Sequence, residues 1–260
     1  IPFVLFKYGM VKVTKKALLL ICAVACSSIF LHQMTLAIGI QKTTAGNASL
    51  ILGLNPLTTA LLAFLFIGEQ LNARKLLGIG LGFCGVIVVV YTQSVQHVNL
   101  SGWGDFFIFI AMLMYVIGGL LIKKVSAYVP ILVITAYSHA IASLFLWSAS
   151  FVELSIHPIV WTMPSTVWIW IVMFFSGWVA TGICTLLWNI GIKEIGASQT
   201  AMFLNGLPLA SLATAAIFLH EKIELVHIIA FLCVFAGIYL GTVSRGPLRS
   251  PKLNPTHVNK

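Results

Sequence analysis

Charged side chains are scarce in this sequence. Only 8% of the 260 residues are Asp, Glu, Lys or Arg, and only six are acidic, whereas soluble globular chains carry about 25% charged residues. Hydrophobic residues make up 60% of the chain, and its mean hydropathy is +1.04. So few charges do not cover the surface of a water-soluble fold, and so apolar a composition excludes disorder. The sequence therefore predicts an all-α integral membrane protein.

Paired cysteines and catalytic motifs are also missing. None of the five cysteines belongs to a C-x-x-C pair, and all lie in apolar runs, which is typical of buried small side chains. The segment His220-Glu221-Lys222-Ile223-Glu224 only partly resembles H-E-x-x-H, because Glu224 stands where zinc needs a second histidine. The sequence thus indicates no enzyme, no cofactor and no metal site.

Apolar windows of about 20 residues, the length that crosses a bilayer as a helix, are what the sequence has in abundance. Eight are predicted as spans: 17–38, 44–67, 76–92, 103–122, 130–152, 167–189, 197–218 and 225–243. Residues 1–6 resemble the end of a ninth span, and the chain does not begin with Met. We therefore expect an N-terminally truncated sequence with eight full spans.

Lysine and arginine are unevenly distributed among the short loops. Thirteen of the fifteen fall in alternate segments that share one side, and only Lys42 and Lys222 fall on the other. Because positive loops stay inside, we expect a multi-pass protein of the cell (inner) membrane with a cytoplasmic C-terminus. The net charge of +9 is explained by topology and indicates no nucleic-acid partner.

The sequence repeats itself at an offset of 152 residues without a gap. Pro56 falls on Pro208, Glu69 on Glu221 and Gly85 on Gly237. Five predicted spans separate the copies, so they run in opposite directions, as in many transporters with inverted repeats. The arithmetic predicts a ten-span parent built from two five-helix halves, with about 50 residues before Ile1.

Residues 45–57, 66–71 and 78–86 resemble the EamA repeat of the drug/metabolite transporter superfamily. The second copy keeps Pro208 and Glu221, but His220 and Ala230 replace the glycines of the first copy. The resemblance implies an incomplete first repeat over 1–98, a second repeat over 99–244 and a cytoplasmic tail over 245–260. It also implies a carrier of small metabolites or drugs, and it suggests export.

The two repeated prolines point to the binding site, because interrupted spans in corresponding positions mark the sites of many transporters. A proline inside a helix leaves a carbonyl without its donor. A water-filled cavity, a substrate, or a neighbouring Ser or Thr could satisfy that carbonyl. We therefore predict a site lined by the spans 44–67 and 197–218 and by their neighbours.

Uncharged polar side chains inside the spans extend this prediction. Such groups are costly in lipid unless they are bonded, so each either bridges helices or contacts cargo. The only histidine near the middle of a predicted span is the candidate for proton coupling, because imidazole titrates near neutral pH. The cavity candidates are Asn47, Asn55, Pro56, Thr58, Gln199, Asn205, Pro208, Gln33, Tyr115 and Asn189, with Tyr137 as a further polar position and His139 for the proton.

No Lys or Arg lies deep in a predicted span, which favours neutral, zwitterionic or cationic cargo over phosphates.

Two pairs of glycines, Gly78 with Gly82 and Gly237 with Gly241, predict that spans 76–92 and 225–243 pack closely. The expected partners are a small-molecule substrate and the lipid bilayer, and a monomer is compatible with the sequence.

The favoured function is a secondary transporter, in the direction of export, that works by alternating access. Two other classes remain as alternatives: a non-transporting membrane receptor or assembly factor, and an integral-membrane enzyme. The enzyme alternative lacks a nucleophile paired with a base. Ser138 and His139 are adjacent and so point about 100° apart on a helix, and no carboxylate lies near them in the sequence to orient the ring.

Overall fold

The computed structural model describes residues 13–93, 102–156, 166–218 and 225–242, and in these ranges it contains helices and no strands. Short turns join most of the helices. In chain order they are α1 (Lys15–Ile40), α2 (Ala45–Ile67), α3 (Ala73–Gln93), α4 (Trp103–Val125), α5 (Ile131–Ile156), α6 (Val167–Ile195), α7 (Ala197–Phe218) and α8 (Leu225–Thr242).

The helices follow the eight predicted spans closely. The largest difference is at α6, which continues to Ile195. Seven helices of the described ranges are long and apolar enough to cross a membrane. The other one, α3, covers the predicted span 76–92, and its last five side chains lie outside the described part. The chain is therefore a multi-pass membrane protein, while the predicted span end at 1–6 lies outside the described residues.

Apolar side chains cover the outside of the bundle. In the first nine residues of α6, Val167–Phe175, no residue is buried. Trp168 is 67% exposed and Phe174 is 65% exposed. Such a surface is unfavourable in water and favourable against hydrocarbon, so lipid is the solvent that this helix fits.

Two buried clusters hold the bundle together. In the first, Ile21 of α1 packs with Val125 at the end of α4 and with Val133 of α5. In the second, Ala63 of α2 packs with Ile192 of α6. Helices α1 and α4 contribute to both clusters, while α5 contributes to the first and α6 to the second. The cavity described below lies among these four helices.

Helices α3 and α8 pack against each other through glycines, as the glycine spacing predicts. A Cβ at Gly78 would lie 2.6 Å from the carbonyl oxygen of Gly237, and a Cβ at Gly237 would lie 2.6 Å from that of Gly78. Only a residue without a side chain allows two backbones to approach so closely.

Both helices that carry the repeated prolines are interrupted. In α2, the first segment ends at Gly53 and the second begins at Asn55, with Pro56 in its first turn. In α7, a 3₁₀ turn over Phe203–Gly206 precedes a second segment that begins at Leu207. In a first turn the missing N–H of proline has no helical partner to lose, so each proline starts a new segment.

Two helices contain π-helical segments, Ala25–Leu31 in α1 and Ser176–Ile183 in α6. At the repeat offset of 152, residues 25–31 correspond to residues 177–183. π-Helical turns are rare in proteins, and those that occur are often found at functional sites. Their recurrence at equivalent positions therefore directs attention to the middle of α1 and α6.

Two glycines with positive φ shape the turns next to α7. Gly68 (φ 73°) ends α2, and Gly196 (φ 98°) is the single residue between α6 and α7. A residue with a Cβ is strained at such angles. These turns lie at the end of the bundle that holds Lys75, Lys123 and Lys193, called here the lysine-rich end.

Candidate functional site

A cavity of about 300 Å³ lies among α1, α4, α5 and α6. This volume is at the lower end of the range for small-molecule sites. None of the described residues that line it is Lys, Arg, Asp or Glu. The lining residues are Val24, Ser28, Ile29, His32, Gln33, Tyr115, Gly119, Ile122, Ser138, His139, Thr181, Cys184, Thr185, Trp188 and Asn189.

Three rings from three helices form one wall of the cavity. The ring of His32 in α1 lies 5.1 Å from that of Tyr115 in α4, at an interplanar angle of 46°. The ring of Tyr115 lies 6.1 Å from that of Trp188 in α6, at 39°. Such tilted contacts hold the rings in place and leave aromatic surface for a flat ligand.

Two histidines of the cavity have the same hydrogen-bonding arrangement. Nδ1 of His32 lies 2.9 Å from the carbonyl oxygen of Ala111, and Nδ1 of His139 lies 2.8 Å from that of Thr135. Because a carbonyl oxygen only accepts, each Nδ1 must carry the proton. In the neutral ring Nε2 is then an acceptor.

Asn189 of α6 is 2% exposed and presents an oxygen without a partner. Its Nδ2 donates to Oγ1 of Thr135 at 2.9 Å, and the Thr135 hydroxyl donates to the carbonyl of Ile131 at 2.9 Å. The Thr135 proton is therefore already used, so Asn189 can only donate to this hydroxyl. This fixes the amide orientation and leaves Oδ1 unsatisfied, at a cost of about 1–3 kcal/mol.

Two serine hydroxyls of the cavity also act as donors to backbone. Ser28 donates to the carbonyl of Val24 at 2.9 Å, and Ser138 donates to that of Thr135 at 3.1 Å. Each hydroxyl proton is thereby used within its own helix, and the oxygen keeps its acceptor capacity.

Corresponding positions of α1 and α6 line the same cavity. Residues 29, 32 and 33 of α1 match residues 181, 184 and 185 of α6 at the offset of 152, and all six line it. The side chains differ between the copies: His32 corresponds to Cys184, and Gln33 corresponds to Thr185. The cavity is therefore similar in position but asymmetric in chemistry.

Four of the predicted site residues come together here. Gln33, Tyr115, His139 and Asn189 come from four different helices and all line the cavity. The further polar position, Tyr137, instead packs beside the buried cluster of α1, α4 and α5.

Asn47 lies away from the cavity, at the end of the bundle opposite the lysine-rich end. Its Nδ2 donates to both carboxylate oxygens of Asp105, at 3.1 and 3.2 Å. The hydroxyl of Thr43 donates to the same carboxylate. Asp105 lies in the first turn of α4, where the helix dipole favours a negative charge. This cluster joins the start of α2 to the start of α4.

The other predicted residues of α2 and α7 are outside the cavity lining as well. Asn55 accepts a hydrogen bond from the Thr59 hydroxyl at 3.1 Å, and Thr58 donates to the carbonyl of Leu54 at 3.1 Å. Asn205 is buried against Gly82 of α3. The remaining three positions, Gln199, Pro56 and Pro208, lie in helical segments of α2 and α7.

Sequence reasoning missed several residues of the cavity, above all His32 and Trp188. His32 was passed over in favour of His139, although it lies well inside α1 and directly after the π-helical segment. The signal that could have found it is the repeat: the polar pair at 32 and 33 corresponds to the polar pair at 184 and 185. The other residues missed are Val24, Ser28, Ile29, Gly119, Ile122, Ser138, Thr181, Cys184 and Thr185.

The fold and the cavity define a helical membrane protein with an internal cavity, and comparison with known proteins places it in a family. Residues 1–91 and 102–243 match the EamA-like transporter family, and the chain belongs to this family. Together with the names of its relatives, this membership indicates a transporter rather than an enzyme.

Two relatives come from Bacillus subtilis (strain 168). The chain is 30% identical over 236 residues to the uncharacterized transporter YyaM. The aligned region covers 87% of this chain and 72% of that protein. It is 24% identical over 239 residues to the uncharacterized transporter YetK, covering 91% and 72%.

A third relative, from Escherichia coli (strain K12), is named a probable amino-acid metabolite efflux pump. It is 25% identical over 211 residues, covering 75% of this chain and 67% of that protein. The crystal structure of another protein matches with a TM-score of 0.72 at 18% identity, covering 84% of this chain and 74% of that chain. At this identity the likeness shows the fold alone.

Proposed function

We propose that the protein is a secondary transporter that exports small metabolites or drugs by alternating access, with its cargo bound in the cavity among α1, α4, α5 and α6. The observation that carries this proposal is the pairing of positions 29, 32 and 33 with 181, 184 and 185 around one cavity. A cargo site between two corresponding helices is what an inverted-repeat carrier requires.

The proposal includes an inverted repeat of two five-helix halves, divided at residues 98 and 99 and followed by a tail over 245–260. Contacts between α3 and α8 support it. A Cβ at Gly237 would meet the Gly78 carbonyl and the Gly82 nitrogen. At the offset of 152, Gly237 corresponds to Gly85, Gly78 to Ala230 and Gly82 to Val234. A Cβ at Gly85 would meet the Ala230 carbonyl at 2.9 Å and the Val234 nitrogen at 3.2 Å. Each contact is thus matched by its counterpart in the other copy.

Two halves of opposite orientation can open one central site to either side of the membrane by rocking. We propose that the predicted residues of α2 and α7 reach the cargo path in the other conformation. Replacing Asn47 and Gln199 together with alanine is then expected to reduce transport.

We propose that the lysine-rich end faces the cytoplasm of a cell whose inner membrane holds the protein, with the C-terminus on that side. The distribution of Lys and Arg supports this orientation. The name of the Escherichia coli relative, an efflux pump, supports the outward direction.

The test compares metabolites inside and outside cells that express or lack the protein, with and without an uncoupler. Trp188→Ala removes a ring from the cavity wall. The matched control is Trp178→Ala, which removes an indole from the same helix where it is 69% exposed and outside the cavity.

The expected result is a small compound that leaves the cells only with the protein and loses its gradient on uncoupling. Its export should be lost in Trp188→Ala and retained in Trp178→Ala. Export by neither wild type nor variants, from protein shown to be in the membrane, would contradict the transporter. Equal loss in both variants would contradict the cavity as its site.

A further inference from the structure

Five side chains of the cavity offer hydrogen-bond acceptors. Nδ1 of His32 and of His139 is used on backbone carbonyls, so in the neutral rings the free nitrogen of each is an acceptor. Oδ1 of Asn189 has no partner in the described part of the chain. Ser28 and Ser138 have spent their protons on carbonyls. A ligand group that contacts these atoms must therefore be a donor.

The described lining of the cavity offers a carboxylate no positive charge. The described lining residues contain no lysine and no arginine, and these are the side chains that usually bind anions. Lys123 lies near the end of α4 but is turned away, since its Nζ donates to the carbonyl of Lys193 at 2.7 Å. The groups that can still donate are neutral: the Gln33 amide, the Trp188 indole, and the hydroxyls of Tyr115, Thr181 and Thr185.

The aromatic wall favours a ligand that carries a positive charge next to a flat ring. The faces of Trp and Tyr attract ammonium groups through the ring quadrupole, and Tyr115 and Trp188 stand side by side on this wall. A second ring can stack on the same surface. The acceptors and the wall thus favour the same kind of molecule.

We propose that the cavity selects ring-bearing amines over carboxylates of the same shape, an inference that rests on the proposed transport function. The ammonium group donates to Oδ1 of Asn189 and to the free Nε2 atoms of His32 and His139. The ring of the cargo packs on Tyr115 and Trp188.

The test uses three probes that share a phenyl group and differ in charge: phenethylamine, phenylalanine and 3-phenylpropionate. Binding to the purified full chain in lipid nanodiscs is measured by calorimetry. We expect phenethylamine to bind at least about tenfold more tightly than 3-phenylpropionate, with phenylalanine between them, since a hydrogen bond to a charged group is worth about this factor or more.

Two substitutions of one residue separate the acceptor role from a structural one. Asn189→Leu removes the acceptor and should weaken phenethylamine binding by about tenfold. Asn189→Asp keeps an acceptor, adds negative charge and should strengthen it. The control Thr200→Val removes a buried hydroxyl outside the cavity and should leave the ratio of the probes unchanged. If Asn189 were only structural, both substitutions of it would weaken binding.

Tighter or equal binding of 3-phenylpropionate, or binding of none of the three probes, would overturn the proposed selectivity. Failure of the amine selectivity can be told apart from failure of the proposed transport function. If cells export a carboxylate and Trp188→Ala abolishes that export, the transporter stands and the amine selectivity falls. If wild-type cells export a compound but its export does not depend on Trp188, the cavity falls as the cargo site. If they export none, the transporter itself falls.

Discussion

The carboxylate of Glu69, just after α2, accepts a hydrogen bond from the backbone N–H of Ala197, the first residue of α7, at 2.9 Å. The N–H of Ser198 lies 3.4 Å from the other carboxylate oxygen, and Lys75 is 3.5 Å from that same oxygen. One side chain thus satisfies two donors that a helix N-terminus leaves free. This contact fastens α2 to α7 at the lysine-rich end.

Glu69→Ala should lower the free energy of unfolding by about 1–3 kcal/mol, because it leaves two buried N–H groups without an acceptor. Lys75→Met should cost less, since the N–H groups keep their carboxylate. Thermal unfolding of the purified protein measures both. A Lys75 variant less stable than the Glu69 variant would show that the ion pair, and not the helix cap, is the main contribution.

Gly237→Ala should destabilise the protein by about 1–3 kcal/mol through overpacking, because its Cβ would lie 2.6 Å from the backbone oxygen of Gly78. The matched control is Gly80→Ala on α3, where a new Cβ meets nothing within 4 Å. That change should be neutral or stabilising by up to about 1 kcal/mol, since alanine favours helix. Equal effects in the two variants would contradict the close packing of α3 and α8.

Asn47→Asp should make stability depend on pH. The substitution replaces the amide that donates to Asp105 with a second carboxylate, and two carboxylates in contact cannot both ionise without repulsion. Protonation of one restores a donor, so the variant should be less stable than wild type at pH 7 and should recover part of the difference at pH 5. Unfolding curves at the two pH values measure this. A pH-independent difference would contradict direct contact between residues 47 and 105.

The helices could be predicted from the sequence because lipid demands long apolar segments and admits few charges between the loops. The predicted contact of α3 and α8 is confirmed. Gly78 and Gly237 lack side chains and so let the two backbones approach each other. These features depend on local composition.

The cavity depends on relationships that local composition does not contain. A π-helical segment inserts extra residues into a helix turn, and this changes which face His32 presents. The partner of Asn47 is Asp105, 58 residues away along the chain, and no spacing rule connects them. Sequence reasoning therefore found polar residues inside helices but did not separate those that line the cavity from those that join helices.

The central claim is that cargo binds in the cavity among α1, α4, α5 and α6, and labelling of Cys184 tests it most directly. Cys184 is exposed and lines the cavity, whereas Cys84 of α3 is exposed and lies outside it. In two variants that each retain one of these cysteines and replace the other four with alanine, the rate of maleimide labelling is measured with and without the exported compound. The account predicts that the compound slows labelling of Cys184 and leaves that of Cys84 unchanged. Unchanged labelling of Cys184 at saturating compound would contradict it.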